Sequence, residues 1–257
     1  MNFLRGVWRI TAIGIALALV TLVILSLAWL PKRVKGVRLT AWPITYFARF
    51  FIYLFDIHVT CAEAEKIRQH HGFIFPNHNS LLDIILLVAI LPTRFLAKAE
   101  VKQWPFIGWI GTAVDTVFVN RQDKTSREQA RQAITGLDHY PPIVIFPEGG
   151  IYGPAETLHP FRYGAFEIAT QGSVPFMPCV FLYEPLNIAF WGDEPLFTSI
   201  WRLASRPGPL QARLFALKVI HPTPDDDPRQ LALETHGAME AILTYSGHED
   251  DVLESGI

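Results

Sequence analysis

Residues 10–30 carry no charged side chain and are almost wholly apolar, a stretch about as long as the roughly 20 residues a helix needs to cross a bilayer core. A chain with such a stretch has to find it an apolar home. Arg5 and Arg9 precede it, and Lys32, Arg33, Lys35 and Arg38 follow it. The run exceeds the roughly 7–15 apolar residues of a secretory signal, and no small-x-small cleavage pattern comes after it, so the segment is expected to stay. The heavier basic charge on its C-terminal side places the domain that follows in the cytoplasm if the helix spans.

Residues 39–59 form a second apolar region that contains Trp42, Tyr46, Phe47, Phe50, Phe51, Tyr53 and Phe55, with Pro43 near its start. It suits either a returning membrane helix or one lying in the interface, where Trp and Tyr are favoured. The two segments together read as a membrane-dipping helical hairpin or as one span plus an interfacial helix. Residues 1–60 are thus expected to anchor the chain, and residues 61–257 to form the folded domain. The net charge of −2 supplies no basic field for nucleic acid. The basic residues gather beside the apolar helix instead, as contact with anionic head groups would require. Cys61 and Cys179 offer neither a disulfide framework nor a zinc spacing, in keeping with a reducing compartment.

From residue 72 onward short apolar runs alternate with longer segments. Strands are predicted at 72–75, 94–97, 116–119, 142–146, part of 174–183, and 213–220, and helices at 81–91, 124–138, 161–171 and 227–243. Such alternation predicts an α/β domain with a mostly parallel sheet flanked by helices, which binds ligands beyond the C-terminal ends of its strands. The aspartate run Asp225-Asp226-Asp227 reads as a solvated loop before the last helix.

The first of those strands runs into Pro76-Asn77-His78-Asn79-Ser80-Leu81-Leu82-Asp83. An imidazole held by a carboxylate at a strand end makes a general base near neutral pH, because the carboxylate fixes the tautomer and stabilises the imidazolium. Asp83, three residues after Ser80, could equally be satisfying the first amides of the following helix as a capping-box residue. The run 143–146 likewise stops at Pro147 and exposes Glu148, followed by Gly149 and Gly150. There a carboxylate could meet a polyol and backbone amides could approach a ligand closely. Lys98 and Arg121 each close a predicted strand, so parallel strands would bring both cations to the same edge as His78, where a phosphate or carboxylate would suit them. The sequence has no G-x-S-x-G elbow, Walker loop, dinucleotide glycine fingerprint or H-E-x-x-H pair, and so no obvious protein nucleophile or metal site.

Four blocks, in order over roughly residues 40–220, resemble the glycerolipid acyltransferases typified by 1-acylglycerol-3-phosphate acyltransferase. Asn77-His78 through Asp83 resembles the NHxxxxD motif, and residues 106–121 resemble the second block with its terminal arginine. Phe146-Pro147-Glu148-Gly149 resembles the FPEG block, and Val174-Pro175-Phe176-Met177-Pro178 the late proline-rich strand. The resemblance implies acyl transfer from acyl-CoA or acyl carrier protein, as co-substrate, to a lysolipid hydroxyl, without metal or other cofactor. His78 would be the base and Asp83 its orienting partner. Glu148 and Gly149 would help form the acceptor site, with Arg121 and Lys98 on the acceptor phosphate. Arg162 matches another common basic position. The pattern departs at Gly150-Ile151, where the family usually has Thr-Arg, so a cation associated with phosphate recognition is missing. Lysophosphatidate remains the first expectation, with another lysolipid, an amino-lipid precursor, or hydrolysis of a thioester as alternatives.

Overall fold

The computed structural model describes residues 2–120, 122–136, 138–152, 158–192 and 194–254. In chain order the elements are α1 (Asn2–Leu27), β1 (Arg33–Val34), β2 (Val37–Arg38), α2 (Trp42–Leu54), β3 (Ile57–Thr60), α3 (Ala64–Gln69), β4 (Phe73–Pro76), α4 (Leu82–Ile90), β5 (Arg94–Lys98), α5 (Ile107–Ala113), β6 (Val117–Val119), α6 (Lys124–Thr135), β7 (Ile143–Val144), α7 (Gly164–Gln171), β8 (Phe176–Glu184), α8 (Leu186–Ala189), α9 (Leu196–Ser205), β9 (Leu210–Ala216) and α10 (Pro228–Glu254).

Seven strands form one sheet in the order β3-β9-β8-β4-β7-β5-β6. All neighbours are parallel except β8 and β9, which pair antiparallel. The expected mostly parallel α/β sheet is what forms. Both faces are buried, and strand alternation divides the core in two. Ile74, Val144, Met177, Cys179, Phe181 and Tyr183 pack with Leu82, Leu86 and Leu87 of α4 and with Phe51 and Phe55 on one face. Phe73, Phe75, Ile143, Ile145, Phe176 and Val180 pack with Phe166 and Ala169 of α7 and with Met239 of α10 on the other.

The strand expected at 213–220 begins earlier and ends at Ala216. Pro178 on the facing strand has no amide to donate. Beyond the Leu217 N–H bond to Pro178 O, pairing resumes only at the isolated Phe176–Ile220 bridge. The helices α3, α5, α8 and α9 were not among the predicted elements. Strand β3, at the end of the second apolar region, pairs with β9 at the sheet edge, so residues on both sides of position 60 share one sheet.

Helix α1 is the one described helix long and apolar enough to cross a membrane. It starts well before residue 10, and Arg5 and Arg9 lie inside it rather than flanking it. Arg9 donates to Ala204 O and Arg5 to Arg206 O, both at the end of α9. Gly6 meets α9 at the closest point, where an added Cβ would lie 3.1 Å from the Trp201 ring. Helix α2, at 13 residues, reaches only about 20 Å, short of the roughly 30 Å of a bilayer core. It packs against α4 and α1.

Candidate active site

Strand β4 is buried at every residue and delivers the chain to the sheet's C-terminal edge at Pro76. The next residue, Asn77, is buried and stitches this end to β8: its Nδ2 donates to Phe181 O at 3.1 Å, and its Oδ1 accepts the Phe181 N–H at 2.7 Å. His78 then turns back so that Nδ1 lies 2.9 Å from Asp83 Oδ2. The imidazole stacks on Phe146, with ring centroids 3.7 Å apart and planes 17° from parallel.

Asp83 is fully buried, and four donors satisfy it. Oδ2 accepts the N–H of Asn79 and of Ser80, each at 2.9 Å, besides the His78 contact. Oδ1 accepts the Tyr183 hydroxyl at 2.6 Å. The Ser80 contact is the reciprocal half of a capping box, and Ser80 Oγ in turn accepts the Leu82 N–H. The two sequence readings of Asp83, helix cap and imidazole partner, thus describe the same oxygen. With the Nδ1 proton on the aspartate side, Nε2 of His78 carries the free lone pair. The side chain is 15% exposed, so a substrate hydroxyl can reach it.

Glu148 sits in the turn that follows β7, with Pro147 at the second position and the Gly149 N–H closing back on Phe146 O at 3.0 Å. Gly149 has φ +81°, which glycine adopts without strain. The Glu148 carboxylate is buried and faces protein amides: Oε1 accepts the His78 N–H at 2.7 Å and Oε2 the His159 N–H at 3.2 Å. Burial pushes its pKa up to about 7, against the pull of those two bonds. Arg162 closes the cluster from the exposed side. Its Nε donates to Glu148 O at 3.3 Å and its Nη2 to Tyr152 Oη at 3.2 Å. A Cβ on Gly150 would fall 2.9 Å from that same hydroxyl, so the Gly150 departure makes room for Tyr152 beside Arg162.

The fold brings His78, Asp83, Glu148, Gly149 and Arg162 together from positions up to 84 residues apart (162 − 78). Lys98 ends β5 on the same sheet edge, exposed to solvent, and among the described residues it makes no hydrogen bond to this cluster. Arg121 lies outside the described residues. Tyr183 and the stacking Phe146 belong to the site, and the sequence did not point to Tyr183. A tyrosine in an apolar strand 100 residues from its partner carries no local pattern. The 189–191 segment was also unexpected: Ser80 Oγ donates to Ala189 O at 2.6 Å and Trp191 N–H to Asn79 O at 3.0 Å, so the chain after β8 straps the loop from outside.

Residues 58–182 match the Acyltransferase family. A 1-acyl-sn-glycerol-3-phosphate acyltransferase of Helicobacter pylori is 30% identical over 201 residues, covering 76% of this chain and 78% of that protein. A lyso-ornithine lipid O-acyltransferase of Pseudomonas aeruginosa is 32% identical over 65% of this chain and 64% of its own length. The Rhodobacter capsulatus protein of the same description is 31% identical over 52% and 48%. This chain thus spans about half to two thirds of the length of those two relatives. The crystal structure of the 1-acyl-sn-glycerophosphate acyltransferase from Thermotoga maritima superimposes with a TM-score of 0.75 at 18% identity, over 96% of this chain and 98% of that one, a likeness of fold.

Proposed function

This chain belongs to the acyltransferase family that includes the 1-acyl-sn-glycerol-3-phosphate acyltransferases, and from that we propose that it moves a fatty acyl group from a thioester, acyl-CoA or acyl carrier protein, to the hydroxyl of 1-acylglycerol-3-phosphate at a membrane. The observation that carries the reading is the His78–Asp83 contact at 2.9 Å, which engages Nδ1 and leaves Nε2 available to an acceptor hydroxyl. In the proposed step Nε2 takes the proton of the acceptor hydroxyl as its oxygen attacks the thioester carbonyl carbon. The tetrahedral intermediate then collapses with cleavage of the C–S bond. The thiolate leaves and takes the proton back from the imidazolium, so ester and free thiol are the products. The acceptor is itself the nucleophile, and neither a protein nucleophile nor a metal or cofactor is required.

Arg162, Arg121 and Lys98 would hold the acceptor phosphate, and Gly149 and Glu148 would shape the acceptor side of the site. Helix α1, with α2 beside it, would keep the domain on the membrane, its catalytic edge on the cytoplasmic face, where both substrates meet. A second reading, an amino-lipid acceptor, is favoured by Gly150-Ile151 in place of Thr-Arg and by the two lyso-ornithine lipid O-acyltransferases among the relatives.

The test is transfer from radiolabelled oleoyl-CoA by detergent-purified protein to lysophosphatidate, lyso-ornithine lipid and other lysolipids, with His78→Ala alongside. Labelled phosphatidate from the wild type alone is the expected result. Product only from lyso-ornithine lipid selects the second reading. Fatty acid released equally fast without any acceptor makes the protein a hydrolase, and a His78→Ala variant with near wild-type turnover removes His78 from the chemistry.

A further inference from the structure

Strand β8 meets the catalytic loop twice. Asn77, the first residue of the motif, grips the backbone of Phe181, and Asp83, the last, receives the hydroxyl of Tyr183 two residues further along the same strand. Phe181 and Tyr183 belong to the sheet face that packs on α4, and their rings stack with planes 9° apart. The strand is thereby a template against which both ends of the loop are registered. The Tyr183 hydroxyl is enclosed and stays protonated, since burial and the adjacent carboxylate both raise its pKa. It can only donate to Asp83 Oδ1, the one oxygen the loop's own amides do not reach.

We propose that Tyr183 is a positioning residue for acyl transfer: its hydroxyl fixes the Asp83 carboxylate and holds it ionised, and through Asp83 it sets the orientation and basicity of His78. The inference rests on the acyl-transfer reading for its kinetic consequence, but not for its structural one. A hydrogen bond donated to a carboxylate stabilises the ionised form, so the His78–Asp83 pair is expected to release its proton at lower pH with Tyr183 than without it. Glu148, which takes the His78 N–H and whose pKa burial raises to about 7, and Arg162 beside it face the pair alike in every variant and drop out of the comparison. Loss of the bond leaves Oδ1 unsatisfied in a dry site, and the pair holds its proton more tightly. The free base then appears only at higher pH.

The test compares wild type, Tyr183→Phe, and protein with 3-fluorotyrosine at position 183, which donates more strongly at nearly unchanged volume. Tyr183→Phe is expected to lower kcat about 10- to 100-fold, with KM for both substrates unchanged and the acid limb of the pH–rate profile moved to higher pH. The fluorinated protein should move that limb the other way. A kcat within about twofold of wild type with the limb unmoved, or a change confined to the acceptor KM, overturns the proposal. The fluorinated protein decides the matter if Tyr183→Phe does not fold. Should the wild type transfer acyl groups to no lysolipid, the acyl-transfer reading fails by itself. The 15N-imidazole titration of His78, read with and without the Tyr183 hydroxyl, then still tests the link: an upward shift in Tyr183→Phe upholds it, and coincident curves refute it.

Discussion

The backbone N–H of His78 donates to Oε1 of Glu148 over 2.7 Å, so the carboxylate of one sequence block meets the main chain of the other and leaves the His78 imidazole out of the contact. The second Glu148 oxygen takes the His159 N–H, and its own carbonyl takes Arg162 Nε. Glu148 therefore ties the loop after β4 to the segment that leads into α7.

That placement predicts a pH-dependent stability. Glu148 has its pKa raised from 4.5 to about 7 in the folded protein, so between those values the native state binds more protons than the unfolded one. The contribution is fully present below pH 4.5 and is lost as pH rises through about 7. A shift of this size corresponds to about 3 kcal/mol. Urea unfolding in detergent at the two ends of this window should show wild type losing stability with rising pH by about that much relative to Glu148→Gln. Parallel behaviour of the two proteins would refute the assignment.

Asp83→Asn replaces one oxygen by an NH2 group in a cage of four donors. With its NH2 group on the Oδ2 side, the amide faces the Asn79 and Ser80 N–H groups and forces His78 into the other tautomer. Turned the other way, it can donate only if the Tyr183 hydroxyl reverses to accept, and in both cases the negative charge that steadies the imidazolium is gone. Turnover is expected to fall about 10⁴-fold and stability by about 1–3 kcal/mol or more, read from single-turnover kinetics and thermal unfolding. A variant that loses activity without any stability would show that the capping role is negligible.

Arg206 is buried and holds the end of α9 to the end of α2. It donates to Leu203 O at 2.7 Å, to Asp56 O at 2.9 Å and to Phe55 O. Burial pushes its pKa down to about 10. Arg206→Met fills similar volume but strands those carbonyls, and an expected loss of about 2–4 kcal/mol can be read from the denaturation midpoint.

Gly72 has φ +142°, and a Cβ there would lie 2.1 Å from Pro175 O. Gly72→Ala must displace the backbone at the start of β4, the strand that carries His78. We expect a loss of about 3 kcal/mol or more, with residual activity falling in step with the folded fraction. A protein as stable as wild type would contradict the packing at this point.

The elements near the site were legible where the cause was local. Strand β4, helix α4 and the His78–Asp83 spacing follow from an apolar run, a cap and a five-residue interval that one turn can close. Glu148 and Arg162 were legible as motif members, but their partners were not, since main-chain amides look alike in a sequence. Tyr183 and the 189–191 strap depend on which strands become neighbours, and the order β8-β4-β7 is written in no single segment. Arg5 and Arg9 illustrate the same limit. Flanking an apolar run, they read as charges for a membrane surface, whereas the fold gives them the carbonyls at the end of α9.

The attachment of α1 has a mechanical consequence. Two guanidinium contacts, the Gly6–Trp201 approach and the Phe3–Trp201 ring contact make this helix a keel bolted to the hull, with no slack tether between them. Whatever holds its outer face sets the pitch of the whole domain, and the mouth of the site turns only with the helix. On the proposed acyl-transfer reading, the acceptor would have to drift sideways to a fixed berth.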